Sequence, residues 1–129
     1  MGATANPRRV ALGRYGEELA GRHLLDSGYE VVDRNWRCPA GEIDIVAVDG
    51  ECLVVCEVKT RSSGSFGAPE EAVTWSKGRR LRALATLWLA ERCADLMGTR
   101  RFAAVRVDVV AVSIPHRGAP QLRHLQGVC

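Results

Sequence analysis

The sequence holds no apolar run near the roughly 20 residues that cross a bilayer, and its opening stretch MGATANPRRVALGRYG lacks the apolar centre of a secretory leader. No membrane partner is expected, and the expected location is cytoplasmic. The five cysteines, Cys38, Cys52, Cys56, Cys93 and Cys129, are odd in number, scattered and without a CxxC pair, and the histidines show no ligand spacing. That pattern supports neither a disulfide framework nor a zinc site, so the thiols read as reduced and mostly packing. Internal repeats and shifts in composition are also missing. One domain over residues 1–129 is therefore expected, structured from about 12 to 114, with disorder confined to the ends.

What is present is a globular balance, 47% hydrophobic against 26% charged, with too much apolar content for a solvated tail. A net charge of +3 is too mild to name a nucleic-acid partner by itself. The distribution says more than the total. Acidic residues gather between 42 and 57, while basic ones cluster in RRVALGR (8–14), RNWR (34–37), KTR (59–61) and KGRRLR (77–82).

The spacing of Leu12, Leu19 and His23 predicts a helix over 12–27, stopped by Gly28. A strand is expected from about Tyr29 to Arg34, then a connection RCPAG broken by Pro39 and Gly41. EIDIVAV and LVVCEVK read as two strands joined at Asp49-Gly50, a short hairpin signal. SSGSFGAP (62–69) reads as a loop, and from Pro69 to about Cys93 the stripe Leu81, Leu84, Ala85, Trp88 predicts a second helix, with Gly98 beyond it. AVRVDVVAVSI (104–114) suits a buried strand, and QLRHL a short edge strand. The expected fold is α/β: a mixed sheet flanked by helices in the order αβββαβ, with a parallel crossover through the second helix.

Four charges interrupt the two central strands: Glu42 and Asp44 in the first, Glu57 and Lys59 in the second. Alternation places all four on one sheet face, whether the hairpin sets Asp44 against Val55 or against Glu57. Carboxylates about 5 Å apart repel by about 3 kcal/mol at an effective dielectric near 20. Lys59 offsets part of that. An oxygen-preferring divalent cation, most simply Mg²⁺ or Mn²⁺, would complete the balance at Asp44 and Glu57. The plainer alternative is a solvated sheet face, but DIVAV and LVVCEV are apolar on both parities, as in a sheet covered on both sides.

GEID, a hairpin and then EVK resemble the PD-(D/E)xK motif of the restriction-endonuclease-like superfamily, with Asp44 matching the Asp and Glu57-Val58-Lys59 the ExK. Glu42 and Ile43 stand where the motif's proline would precede Asp44. The longer set GRYGEELA, RNWRCPAGEIDIVA, EVKTRSSGSFGAPEEAV, Lys77 and RVDVV is similar to the YraN family of bacterial proteins, related to Holliday-junction-resolvase-like nucleases, over about residues 12–112. That family usually reads RFD where this chain has RVD at 106–108, leaving Asp108 matched. The resemblance implies a restriction-endonuclease-like core and a Glu from the first helix at the metal. Glu17 is the match. On a helical wheel Glu17 borders the apolar stripe while Glu18 turns away, and Gly13, Gly16 and Ala20 would let the helix approach the sheet.

Lys77 projects with Leu81, Leu84 and Trp88 toward the sheet, either to contact phosphate or to snorkel past apolar neighbours. Arg34, Arg37, Arg61, Arg79, Arg80 and Arg82 can line a phosphate rim that adds affinity without reading sequence. Trp36 and Trp75 are candidates for base stacking or for the core. The expected activity is Mg²⁺-dependent hydrolysis of DNA phosphodiesters, on branched or structured substrates. Asp44, Glu57 and Glu17 would hold the metal and Lys59 would orient the nucleophile and stabilise developing charge. A possible homodimer follows only from cutting two strands. The rival readings are a non-catalytic nucleic-acid-binding protein of the same fold and an interaction module with no nucleic-acid role.

Overall fold

A computed structural model of the chain describes residues 6–62, 74–98 and 101–128. The first helix, α1, spans Pro7–Asp26, five residues earlier than the apolar spacing indicates. Its start is set by capping rather than burial: the Asn6 side chain accepts the Arg8 N–H at 2.9 Å, and Pro7 occupies the first turn, where a missing N–H costs nothing. The buried face of α1 differs from the expected stripe. Gly16, Ala20, Gly21 and Leu24 are buried, while Leu12, Leu19 and His23 are only half-buried. Small residues win because the helix lies almost on the sheet: a Cβ at Gly16 would fall 1.8 Å from Thr60 Oγ1. Gly13 has no such neighbour and plays no part in the approach.

Strand β1 covers Glu30–Cys38, β2 Gly41–Asp49 and β3 Cys52–Ser62. The first strand thus runs through most of the segment read as a connection, leaving only Pro39 and Ala40 to turn between paired Cys38 and Gly41. Helix α2 spans Trp75–Met97, opened by Thr74, whose hydroxyl accepts the Lys77 N–H at 3.2 Å. The part of the expected helix before Thr74, and the loop at 63–69, lie outside the described residues. Strand β4 is Ala104–Ile114 and β5 Gln121–Leu125, both where the sequence predicts them.

The five strands form one sheet in the order β1-β2-β3-β4-β5, antiparallel except for the parallel pair β3–β4 on either side of α2. Each helix takes one face. Leu81, Leu84, Ala85 and Trp88 of α2 pack on Val46, Val48, Leu53, Val55, Val107 and Val109. Ala20 and Leu24 of α1 pack with Ile45, Ala47, Val54, Cys56, Val110 and Val112. Burial on both faces explains the apolar character of both parities in the central strands. Among the described residues, no helix is long and apolar enough to cross a membrane.

Candidate metal and nucleic-acid site

The β2–β3 hairpin takes the register that sets Asp44 against Glu57: Asp49 pairs with Cys52 and Ile45 with Cys56. The ladder ends there. Ile43 and Val46 pack in the same layer although three residues apart, so strict alternation slips between them. At this slip the strands part, and Asp44 Oδ2 fills the fork by accepting the Val58 N–H at 2.9 Å. The expectation of four charges on one face is therefore only partly met. Glu57 shares the α2 side with Val55, Glu42 turns outward to Arg37 at 3.0 Å, and Asp44 borders a cleft beneath α1.

Electrostatics mark Asp44 as the unusual group. Burial first, then the charge of Glu57 and, more weakly, of Glu17 and Glu42, push its carboxyl up to about 7 against the pull of the Val58 N–H. Glu57 has an internal counter-ion: Lys77 Nζ lies 3.1 Å from its Oε1, the two side chains being 43% and 17% exposed. Lys59 is exposed and has no partner among the described residues.

The cleft beside Asp44 has a volume of about 350 Å³ and is lined by Arg14, Glu17, Glu18, Arg34, Asn35 and Ile45. Glu17 is half-buried at its edge and Glu18 exposed. Arg14 is a residue the sequence reading passed over, although it lies one helical turn before Glu17 and Glu18. Asn35 carries a left-handed φ of 50°, a conformation rare outside glycine. Arg34 lays its guanidinium against Gly21, where a Cβ would stand 2.5 Å from it.

The other rim residues scatter. Arg37 is spent on Glu42, Arg61 is half-buried near the end of β3, Arg79 stacks 4.7 Å over the Trp75 ring, and Arg82 donates to the Val105 carbonyl at 3.0 Å. Trp36 is core, whereas Trp75 is 70% exposed. Asp44 and Glu57 supply hard oxygen donors of the kind that Mg²⁺ or Mn²⁺ prefers, and their mutual repulsion fits a cation. Among the described residues, however, no three ligating side chains are gathered as a ready-made metal cage.

A second polar centre forms around Asp108, a residue that the sequence matches to the family motif without a role. Asp108, fully buried on the α1 side of β4, accepts from Arg106 Nε at 2.8 Å, His124 Nε2 at 2.7 Å and the Gly127 N–H at 3.0 Å. Burial works to raise its pKa, but these bonds to His124, Arg106 and Gly127 outweigh it and hold the carboxyl below its ordinary value. Arg106 also reaches Asp49 and the Tyr29 hydroxyl, and His124 meets His23 at 3.2 Å. The histidines without sequence spacing are thus paired through the fold. A usable signal was Arg106 and Asp108 on one strand face.

The model of the uncharacterised protein family UPF0102 matches residues 16–112, which include both carboxylates, Lys59, Lys77 and Asp108. A UPF0102 protein of Beutenbergia cavernae is 57% identical over 118 residues, covering 92% of this chain and 95% of that one. One from Streptomyces griseus is 54% identical over 93% of this chain and 97% of its own, and one from Acidothermus cellulolyticus 50% over 98% of each. The matched segment runs from the middle of α1 through the fork and α2 into β4, and the chain belongs to the UPF0102 family, the YraN family that its motifs resemble.

Proposed function

We propose that the chain is a divalent-metal-dependent endonuclease that hydrolyses DNA phosphodiesters, with branched or structured DNA as its substrate. The observation that carries this reading is Asp44: a carboxyl raised to about 7 by burial and by Glu57, fixed in a strand fork by a backbone N–H. Structural carboxylates are normally neutralised by partners. One left in conflict with its neighbours is a candidate for chemistry. Asp44 and Glu57 would hold Mg²⁺ or Mn²⁺, with Glu17 reaching the same place directly or through water.

When bound, such a cation lowers the pKa of a water and shields the phosphate. The chain's own residues do the rest. Asp44, locked by Val58, fixes the position of the anionic centre. Lys59, exposed two residues past Glu57 and without a partner among the described residues, would orient the attacking water and meet charge developing on the phosphate. Lys77, paired with Glu57 at the start of α2, would serve as a phosphate contact beside the carboxylates that would hold the cation. Arg14 and Arg34 flank the cleft as phosphate contacts that read no bases.

A nucleic-acid-binding protein without catalysis is the second reading, favoured by the ion pair between Lys77 and Glu57 and by the lack of a ready-made ligand triad among the described residues. Incubation of the purified protein with a four-way DNA junction, with and without Mg²⁺ or Mn²⁺, separates them. Metal-dependent nicking abolished by Asp44→Asn is expected; binding without cutting under either metal would leave the second reading standing.

A further inference from the structure

We infer that Trp75, with Arg79 stacked on it, is a platform for an unpaired DNA base, and that this platform selects substrates with unstacked nucleotides near the cutting site. The inference rests on the nuclease reading for its location but on separate observations for its chemistry. Among the described residues Trp75 is the most exposed of the large apolar side chains, at 70%, against 53% for Leu25 and 45% for Leu87. An indole left in water forgoes much of the stabilisation that burial of so large a ring provides.

Helix stability alone is a weak reason to keep it there. Trp75 and Arg79 are one turn apart, and such a pair contributes only a few tenths of a kcal/mol to a helix. The guanidinium sits 4.7 Å from the ring centroid. That arrangement is an aromatic face with a cation beside it, which is how sequence-tolerant binding of single strands works: the ring takes a base and the cations take the backbone. Arg80, exposed next to Arg79, adds a further cation to the same turn.

Position supplies the link to the site. Trp75 is two residues before Lys77, whose Nζ reaches Glu57 at 3.1 Å, so the first turn of α2 joins the carboxylates to the platform. Two residues turn a helix by about 200°, which puts the indole on the far side of the turn from Lys77. A helix is about 10–12 Å across with its side chains, a span of about three stacked nucleotides at 3.4 Å each. A continuous duplex offers no free base at that distance. A flap, a gap or an open junction does. Trp36 cannot serve in the same way, since it is 3% exposed within the core.

The test uses the intrinsic fluorescence of the full chain. Of its three tryptophans, Trp36 and Trp88 are buried, so quenching by a bound strand reports on Trp75. Wild-type protein, Trp75→Phe and Trp75→Ala are titrated in Ca²⁺ with a single-stranded DNA, a duplex carrying a short unpaired flap, and a blunt duplex of the same length; binding is followed in parallel by anisotropy of labelled DNA. Expected are quenching by the single-stranded and flapped DNA, about tenfold weaker binding of both by Trp75→Ala, near-normal binding by Trp75→Phe, and little change for the blunt duplex. Equal loss on all three substrates, or no loss on any, would overturn the platform while leaving the nuclease reading intact. Platform behaviour without cleavage in Mg²⁺ or Mn²⁺ would uphold the platform and remove the nuclease. Failure to bind any of the DNAs would overturn both.

Discussion

Two carboxylates sit in the same sheet, and their surroundings are opposite. Asp108 is completely buried yet accepts from Arg106, His124 and the Gly127 amide, and its pKa is held down. Asp44 is less buried, accepts the Val58 amide N–H, faces other carboxylates, and is pushed up to about 7. Burial alone therefore does not mark a functional acid. What marks it is burial without sufficient compensation, a cost that the fold tolerates at Asp44 and removes at Asp108.

The sharpest way to break this comparison is pH. A carboxyl that titrates near 3.8 when unfolded and near 7 when folded makes the native state bind more protons between those values, so stability falls as pH rises from about 4 to about 7. The loss amounts to at most about 4 kcal/mol. Asp44→Asn should flatten that slope in metal-free buffer, read from urea melts across the range. Asp108 contributes in the other direction: its stabilisation is present above pH 4 and is lost as pH falls. An Asp44→Asn melt that keeps the wild-type slope would show the carboxyl to be compensated after all.

Catalysis comes next in size. Lys59→Ala should lower single-turnover cleavage of a four-way junction by about a hundredfold to a thousandfold, the cost of about 3–4 kcal/mol for a lost preorganised charge partner. Binding of the same junction in Ca²⁺ should hardly change. Normal cutting by that variant would retain the nuclease and strip this lysine of its role. Asp108→Asn, by contrast, should leave the chemistry of the fork alone and cost about 3 kcal/mol of stability, because Arg106 loses its buried partner while keeping Asp49. A thermal melt unchanged from wild type would mean that the Asp108 centre adds nothing to the fold.

The smallest effect concerns Lys77. A partly exposed ion pair is worth about 0.2–1 kcal/mol, so Lys77→Met should strengthen Mn²⁺ binding about twofold to fivefold by removing a competitor from Glu57, measured by calorimetry without DNA. Weaker Mn²⁺ binding would instead make Lys77 a supporter of the site.

Much of this was legible because it depends on local pattern. The order of elements, the span of β4 and the placement of Glu57 and Lys77 followed from periodicity and turn signals. The fork at Asp44 did not, since alternation assumes an unbroken ladder and nothing in GEIDIV announces the slip between Ile43 and Val46. The buried face of α1 was misread for a related reason. Apolar size pointed to Leu12 and Leu19, whereas contact with Thr60 selects the smallest residues at Gly16 and Ala20. Arg106 and Asp108 on β4, His124 on β5 and the distant His23 on α1 meet only through the folded sheet and its helix, a property of tertiary structure that spacing cannot report.

The parallel pairing of β3 with β4 joins Cys52 to Ala104, with α2 in between. The neighbouring hairpin closes after only Gly50 and Glu51. Loop closure over so many residues is slower than hairpin formation, and long-range parallel contacts set the pace of folding in sheets of this kind. Asp44 and Glu57 belong to the fast hairpin, while Lys77 arrives with the slow crossover. During folding, then, the two acids meet before their counter-ion is in place. Acidic buffer, which protonates Asp44, should speed hairpin assembly, and a β2–β3 hairpin that tolerates this early repulsion must draw its strength from Val46, Val48, Leu53 and Val55.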